Sequence, residues 1–383
     1  MHLASRGLTF TALAAVIASA QNTWSVPNGA DPTPYVNQAQ PGDILRLSAW
    51  HPTLRIDKGL VVLGAPGGTQ ISANGFGSNL VQVTVPAGQR ASLSRIAVPL
   101  WSGVYVTQAR LELSGEVSLA EVQIGGFISA IRGVQVLQRS SAHVLRAEGA
   151  TLSLSDCRFA GIAAGTGVPG NAGQPGIVQS GGALLGSRVV VAGGAADGRA
   201  PAASQPALRA SGGQAWFTDS SFRGGDGIDP ALVPGLPGSP AILGNGGIAI
   251  ARCGLVDGAW SVQGSVGHQA VDAMVGMSAS GPPALGATLH VTAIAGSSQE
   301  LLAIVCGFDR QLASLAPIVE PFFLASGPLL TLALSVPAAG AAVPVTTSIP
   351  NLPALIGAEL WFVAVQAAGP SLHASSIVGG VID

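Results

Sequence analysis

A short pattern of apolar and small residues recurs through the first two thirds of the chain. In each copy, apolar positions alternate with small or polar ones, and one variable residue, another apolar residue and usually a glycine follow. Clear copies contain Leu119, Leu154, Phe217 and Ile250, and a weaker copy contains Leu93. None has helical periodicity, because the apolar residues alternate or form short runs. The pattern predicts a series of short β-strands separated by turns.

The intervals between these copies indicate a repeat architecture. In chain order they are 26, 35, 63 and 33 residues long, and the longest suits two coils with residues 188–191 as the strand between. One coil of short strands cannot bury its own inner face, whereas stacked coils form a common core. We therefore predict a right-handed parallel β-helix over residues 21–264, with about 22 to 26 residues in each coil.

The excess residues between copies are predicted to form loops of unusual composition. Residues 161–182, 193–212 and 224–247 consist mainly of Gly, Ala, Pro and Ser. Such segments suit either flexible linkers or extended, polyproline-like strands that pack over a coil. They contain few side chains capable of chemistry.

The composition changes near residue 265, where the repeat stops. About seven short strand patterns follow, which indicates a C-terminal β-sandwich over residues 265–383 and makes the whole chain all-β. The predicted strands are 288–294, 301–306, 322–324, 329–336, 343–349, 360–365 and 371–378.

The N-terminus has the pattern of a secretion signal. His2 and Arg6 precede an apolar stretch over residues 8–17, and small residues then lead to a predicted cleavage site near Ala20. We therefore assign residues 1–20 to a signal peptide and expect a secreted or cell-surface protein. No later run offers the ~20 apolar residues that a transmembrane helix needs, so no membrane span is predicted.

Charge and cysteine content narrow the possible partners. Hydrophobic residues make up 48% of the 383 residues, charged residues 9%, and the net charge is -2. A chain so apolar is not expected to be disordered, and one so weakly charged is not expected to bind nucleic acid. The three cysteines, Cys157, Cys253 and Cys306, are predicted to be small buried thiols, because the repeat places Cys157 and Cys253 on non-adjacent coils.

Two stretches resemble known families. Residues 39–47 and 56–64 resemble the first coils of the pectate-lyase-like right-handed β-helix superfamily, and the resemblance covers about residues 25–262. It implies the fold, whereas the activity stays open, since this scaffold carries lyases, hydrolases, adhesins and non-enzymatic surface proteins. Residues 349–357 and 360–366 resemble a C-terminal module of secreted planctomycete-type bacterial proteins, with which no activity is associated.

The residues needed for polysaccharide cleavage on such a scaffold are not grouped in the sequence. The family's hydrolases cluster aspartates, one as general acid and others to activate water, whereas the aspartates here are scattered singly. The sole lysine, Lys58, is far in sequence from every acidic cluster. We therefore predict a non-catalytic structural, adhesive or weakly glycan-binding protein, with extracellular polysaccharide or cell-surface components as partners. The alternative is a polysaccharide lyase or glycoside hydrolase acting in a groove along the helix.

One charged column of the repeat is the candidate site. The residue before the cysteine position is Arg95, Glu121, Asp156, Asp219 or Arg252 in successive recognised copies. This column suits either a solvated ladder of opposite charges or an acidic stripe that binds calcium or sugar hydroxyls. We predict no cofactor apart from calcium bound at such a stripe, and no catalytic residue. The candidate ligand-binding residues are Glu121, Asp156, Asp219, Asp226 and Asp229.

Tryptophans offer a second route to sugar binding. They could form a stacking platform, or they could lie partly buried in the core as tryptophans near strands often do. The candidates for such a platform are Trp50, Trp101, Trp216, Trp260 and Trp361.

Overall fold

The computed structural model describes residues 21–72, 80–99, 109–164, 173–197, 203–232, 234–297, 299–308, 310, 318–321 and 329–383. The predicted signal peptide and the predicted strand 322–324 lie outside these residues. The fold class predicted from the sequence is confirmed: the chain is all-β, with a parallel β-helix followed by a β-sandwich. One compact unit contains Thr23–Ala270 and a second contains Val271–Asp383. Parallel pairing continues to Ala270, six residues beyond the end predicted for the β-helix at residue 264.

The first unit stacks its strands into three parallel sheets. Sheet 1 contains β1 (Thr23–Val26), β2 (Ile44–Leu47), β5 (Val61–Leu63), β8 (Arg90–Ser94), β11 (Glu116–Ala120), β13 (Val134–Gln138), β15 (Thr151–Ser155), β18 (Ala183–Ser187) and β21 (Gln214–Thr218). Sheet 2 contains β3 (Trp50–His51), β6 (Thr69–Ile71), β9 (Ile96–Val98), β16 (Arg158–Phe159), β19 (Val190–Ala192), β22 (Ser221–Arg223) and β24 (Gly254–Val256). Sheet 3 contains β4 (Leu54–Ile56), β7 (Leu80–Thr84), β10 (Arg110–Ser114), β17 (Ile177–Ser180) and β20 (Leu208–Ala210).

Four further strands and one short helix complete this unit. Strands β12 (Gln123–Arg132) and β14 (Ser141–Glu148) bend from sheet 2 into sheet 3, and β23 (Ile242–Ala251) bends from sheet 3 into sheet 1. Strand β25 (Val266–Ala270) pairs with β23. The short helix α1 (Thr33–Gln38) buries Val36 in the same core, as expected for the apolar position of a capping helix.

The coil is shorter than the sequence intervals suggested. Leu119, Leu137 and Leu154 are direct partners in adjacent strands of sheet 1, so that these coils take 18 and 17 residues. The prediction of about 22 to 26 residues was wrong because the coil of β13 was not recognised. Its strand carries the buried polar residues Gln135 and Gln138 where other copies have small or apolar ones.

The inner faces of the three sheets form one continuous apolar core. Sheet 1 contributes a column that includes Leu93, Leu119, Leu137, Leu154 and Phe217, all nearly inaccessible to solvent. The backbone of a β-sheet repeats about every 4.8 Å from strand to strand, so each column stacks like side chains on like. Burial of these columns holds the coils together.

The loops rich in glycine are packed in layers where the structure describes them. Consecutive loops are linked by a chain of backbone hydrogen bonds in which outgoing and returning limbs alternate. The N–H of Gln174 donates to Ile162 O, Gly194 to Gln174 O, Gln205 to Gly194 O, Gly225 to Gln205 O, Ser239 to Gly225 O and Gly258 to Ser239 O, at 2.8–3.1 Å. These described limbs therefore follow the second of the two alternatives predicted from the sequence, in which the loops pack over the coil. The loop residue Ile162 covers Phe127 and Val144 on the outside of sheet 3.

The second unit contains two antiparallel sheets. One has the order β26 (Gly276–Ala279), β27 (Thr288–Ile294), β30 (Ala342–Ser348). The other contains β29 (Leu330–Ser335), β28 (Leu302–Gly307), β31 (Glu359–Ala368) and β32 (Ser371–Ala374), with β33 (Val378–Val381) also paired to β31. A 3-10 helix spans Pro353–Leu355. The predicted strand 288–294 coincides with β27, whereas the predicted strand 371–378 is divided between β32 and β33.

Candidate functional site

The charged column closes the turn between sheet 1 and sheet 2 in seven consecutive coils. Its residues have φ between 44° and 56°, the left-handed conformation that non-glycine residues rarely adopt. This conformation turns the chain sharply and directs each side chain outward, beside the corresponding residues of the coils above and below. In order, the residues are Arg95, Glu121, Arg139, Asp156, Arg188, Asp219 and Arg252. We call this column the charge ladder.

Sequence reasoning missed two of these positions, Arg139 and Arg188. A signal for the first was present, because Arg139-Ser140-Ser141 repeats the pattern of Asp219-Ser220-Ser221 with the opposite charge. The coil lengths deduced from the apolar residues did not place a copy there.

Arginine and carboxylate alternate strictly along the charge ladder. Glu121 lies between two arginines and forms an ion pair with Arg139 at 3.5 Å. Asp156 is paired with Arg188, and Asp219 with Arg252, each at 2.7 Å between carboxylate oxygen and Nε. An arginine therefore separates each carboxylate from the next, and the column has four arginines for three carboxylates.

The remaining two candidate residues, Asp226 and Asp229, lie on a loop. Their bonding partners are residues outside the charge ladder. Asp226 pairs with Arg223 at 2.9 Å and accepts a hydrogen bond from the N–H of Ala259. Asp229 accepts one from the N–H of Ala231, which holds a local turn. In the part of the chain that the structure describes, no group of three or more His, Cys, Asp or Glu side chains is placed to hold a metal ion.

Burial perturbs the ladder carboxylate Asp156. Loss of hydration raises the pKa of Asp156, although Arg188 and Arg139 act in the opposite direction. Pairs as exposed as Arg188, whose side chain is half accessible, contribute only ~0 to 1 kcal/mol each. The charge ladder thus adds little to stability, and its outward polar groups are available to a ligand.

An open cleft lies at the N-terminal end of the charge ladder. Its volume is about 400 Å³. A turn of small residues forms one wall, the first three ladder residues form another, and sheet 2 forms the floor. The lining residues are Pro66, Gly67, Gly68, Arg95, Ile96, Ala97, Glu121, Gln123 and Arg139.

Arg95 and Arg139 line this cleft, but two N–H donor atoms of each side chain are directed away from it or are buried. Arg95 donates from Nε and Nη2 to the carbonyl oxygen of Gly64, at 3.2 and 3.1 Å. Nε and Nη2 of Arg139 are buried and have no hydrogen-bond partner among the described residues beyond the ion pair with Glu121. Glu121 is the more accessible member of that pair, with 36% of its side chain exposed against 19% for Arg139.

The position after the charge ladder is a small polar slot. Ser140 and Ser220 each donate to the carbonyl two residues earlier and accept an N–H from a neighbouring coil. Cys157 and Cys253 occupy the same slot, where each thiol lies 3.3 and 3.4 Å from two carbonyl oxygens that can accept its S–H. Burial raises the pKa of Cys157 to about 12, so this thiol is protonated and a poor nucleophile at neutral pH.

The tryptophans do not share one surface. Trp216 and Trp361 are buried, with 8% and 1% exposure, and Trp101 lies outside the described residues. Trp50 donates from Nε1 to Ser72, and Trp260 is exposed at the far end of the β-helix from Trp50. These positions do not support a common sugar-stacking platform.

The second unit contains a buried polar pair on β32. His373 Nδ1 lies 2.7 Å from Glu320 Oε1, and the other carboxylate oxygen accepts the N–H of Ala374. The hydrogen bond with Glu320 raises the pKa of His373 above the ordinary value of 6.5, outweighing the effect of burial. This pair ties the segment around Glu320 to the sheet.

We expect this pair to make the second unit more stable in mild acid than in mild alkali. A histidine whose pKa is raised in the folded state stabilises it fully below the unfolded pKa and loses that effect as pH rises through the folded pKa. His373→Gln should therefore cost about 1.5 to 3 kcal/mol near pH 5.5, the range for hydrogen bonds to charged groups, and less near pH 8.5. Urea unfolding of both proteins at the two pH values measures this. His290→Gln, on an exposed strand position of the same unit, is the control, and a cost that increases with pH would contradict the assignment.

Comparison with known proteins gives no relative from which to transfer a function: no family model, curated protein or solved structure matches the chain. Within the described residues, no helix has both the length and the apolar character required to cross a membrane.

Proposed function

We propose that this is a secreted, non-catalytic β-helix protein with a structural or adhesive role at the cell exterior and weak affinity for glycans. The β-helix supplies a long rigid body, and the polar outer edge beside sheet 2 supplies the contact surface. The apolar stretch at residues 8–17 supports export, and the opening coils at residues 39–64 support a relationship to the pectate-lyase-like superfamily.

The observation that carries this proposal is the pairing of the ladder carboxylates. Acid–base cleavage of a glycosidic bond needs two carboxyl groups on either side of that bond, about 5 to 10 Å apart, one free to donate a proton and the other free to activate water or to attack the sugar. Asp156 and Asp219 instead face arginines at 2.7 Å, and Glu121 is the single carboxylate among the described residues that line the cleft. This arrangement suits hydrogen bonding to a bound sugar better than its cleavage.

A panel of neutral and uronate-containing polysaccharides, each with and without calcium, tests the proposal. We expect retarded migration of the protein in gels that contain a bound polysaccharide, and no new reducing ends or unsaturated products. The Asp219→Ala variant should behave as the native protein does. Reproducible cleavage that Asp219→Ala abolishes would instead establish the lyase or hydrolase alternative.

A further inference from the structure

The cleft at the head of the charge ladder has the chemistry of a hydroxyl-binding site. Glu121 offers carboxylate oxygens that accept hydrogen bonds, and the amide of exposed Gln123 both donates and accepts. The two residues lie two positions apart, and the backbone of the Gly67–Gly68 turn faces them across the cleft. Sugar hydroxyl groups also donate and accept, so neighbouring hydroxyls of one ring match such a set.

The arginine geometry favours a neutral ligand over an acidic one. A carboxylate or sulfate binds arginine best through two parallel N–H donors on one edge of the guanidinium. In Arg95 the Nε and Nη2 donors are directed to Gly64 O, and in Arg139 the same two atoms are buried beside Glu121. Glu121 is therefore the more accessible member of its pair with Arg139, and its carboxylate accepts hydrogen bonds from hydroxyl groups.

The size and walls of the cleft suit a small part of a glycan chain. A volume of about 400 Å³ lies at the lower end of the range for small-ligand sites. A Cβ added at Gly67 would meet no atom within 4 Å, so the turn leaves the cleft open. Ala97 gives a small apolar floor beside Gln123 on sheet 2, against which the C–H groups of a sugar ring can pack.

We propose that this cleft binds a neutral saccharide unit, with Glu121 and Gln123 bonding its hydroxyl groups and Arg139 holding Glu121 in position. The inference rests on the glycan affinity proposed above and adds the ligand class and the location. Because the cleft is open and its described lining contains no aromatic side chain, the expected Kd for one short oligosaccharide is about 1 mM.

The test uses the full chain with cellohexaose and xylohexaose as neutral probes and oligogalacturonate as the acidic probe. Saturation-transfer NMR and affinity electrophoresis should detect at least one neutral probe. Glu121→Gln keeps the side-chain shape and should weaken that binding about tenfold, because a charged acceptor becomes a neutral one. Glu148→Gln makes the equivalent change at an exposed position outside the charge ladder and should leave binding unchanged.

A second variant tests the site without changing any residue of the charge ladder. Gly67→Leu places a side chain in open space and should block the cleft without contact with Glu121 or Arg139. Loss of binding in both variants, with unchanged circular dichroism, supports the site. Binding of only the acidic probe would overturn the ligand class while glycan affinity stands, and neutral binding that both variants retain would overturn the location. Binding of no saccharide would remove the proposed glycan affinity itself.

Discussion

Gly225→Ala is expected to destabilise the β-helix by about 3 kcal/mol or more, at the upper end of the range for overpacking. A Cβ at this position would overlap the carbonyl oxygen and carbon of Gly194 in the adjacent loop limb. The obstacle is backbone, which cannot rotate aside as a side chain can. Gly194 itself packs against the carbonyl of Ile162, and Gly258 against that of Gly225, so a displacement at one layer moves into the others.

Equilibrium unfolding by guanidinium, followed by tryptophan fluorescence, measures this effect. Gly254→Ala is the matched control, because a Cβ there meets nothing within 4 Å and the residue lies in the same β-helix. Neither glycine has positive φ, so the comparison isolates lack of space from backbone strain. Equal stability of the two variants would show that the layered loops separate easily from the coil.

Phe217→Ala is expected to lower the free energy of unfolding by about 3 to 5 kcal/mol, the usual cost of removing a buried phenylalanine. The ring of Phe217 is fully buried and packs edge-on against Phe222, with 5.0 Å between ring centroids. It also extends over Gly186, the glycine that takes the leucine position of the neighbouring coil. The cavity left by alanine would have rigid walls on all of these sides.

Gly186 provides a double-mutant test of the same packing. A Cβ at Gly186 would overlap the ring of Phe217, so Gly186→Ala alone should cost about 1 to 3 kcal/mol. In the Phe217→Ala background the ring is gone, and Gly186→Ala should cost much less or partly fill the cavity. Additive effects in this cycle would mean that the two positions do not share one packing volume.

The charge ladder also explains how a polar outer edge persists on so apolar a chain. Residues at the sharp turn between sheets 1 and 2 must point outward, because the positive φ there directs the side chain away from the core. Placing opposite charges on successive coils avoids the repulsion that a run of like charges would produce. Such a turn can vary its side chains without disturbing the core, and this freedom makes it a suitable place for a weak binding site.

The apolar pattern was sufficient for the strands whose partners repeat it. Residues 288–294 were predicted with the bounds that the structure gives to β27, because alternation over a few residues is a local property. The length of a coil, in contrast, is not a local property of the sequence. The strand β13 carries a buried glutamine, Gln135, whose side-chain Nε2 donates to the backbone carbonyl oxygens of Gly115 and Arg132.

The sequence by itself determined the all-β class, the stacked coils and the charged character of the position before the cysteine slot, since each follows from residue type at short spacing. Only the tertiary structure decided that arginines 139 and 188 intervene between the acids, because their place depends on the length of every preceding coil. It also decided the cleft, whose walls come from residues 66–68, 95–97, 121, 123 and 139. Segments so far apart in the chain meet only after the coils have stacked, and neither composition nor periodicity records which side chains then share a surface.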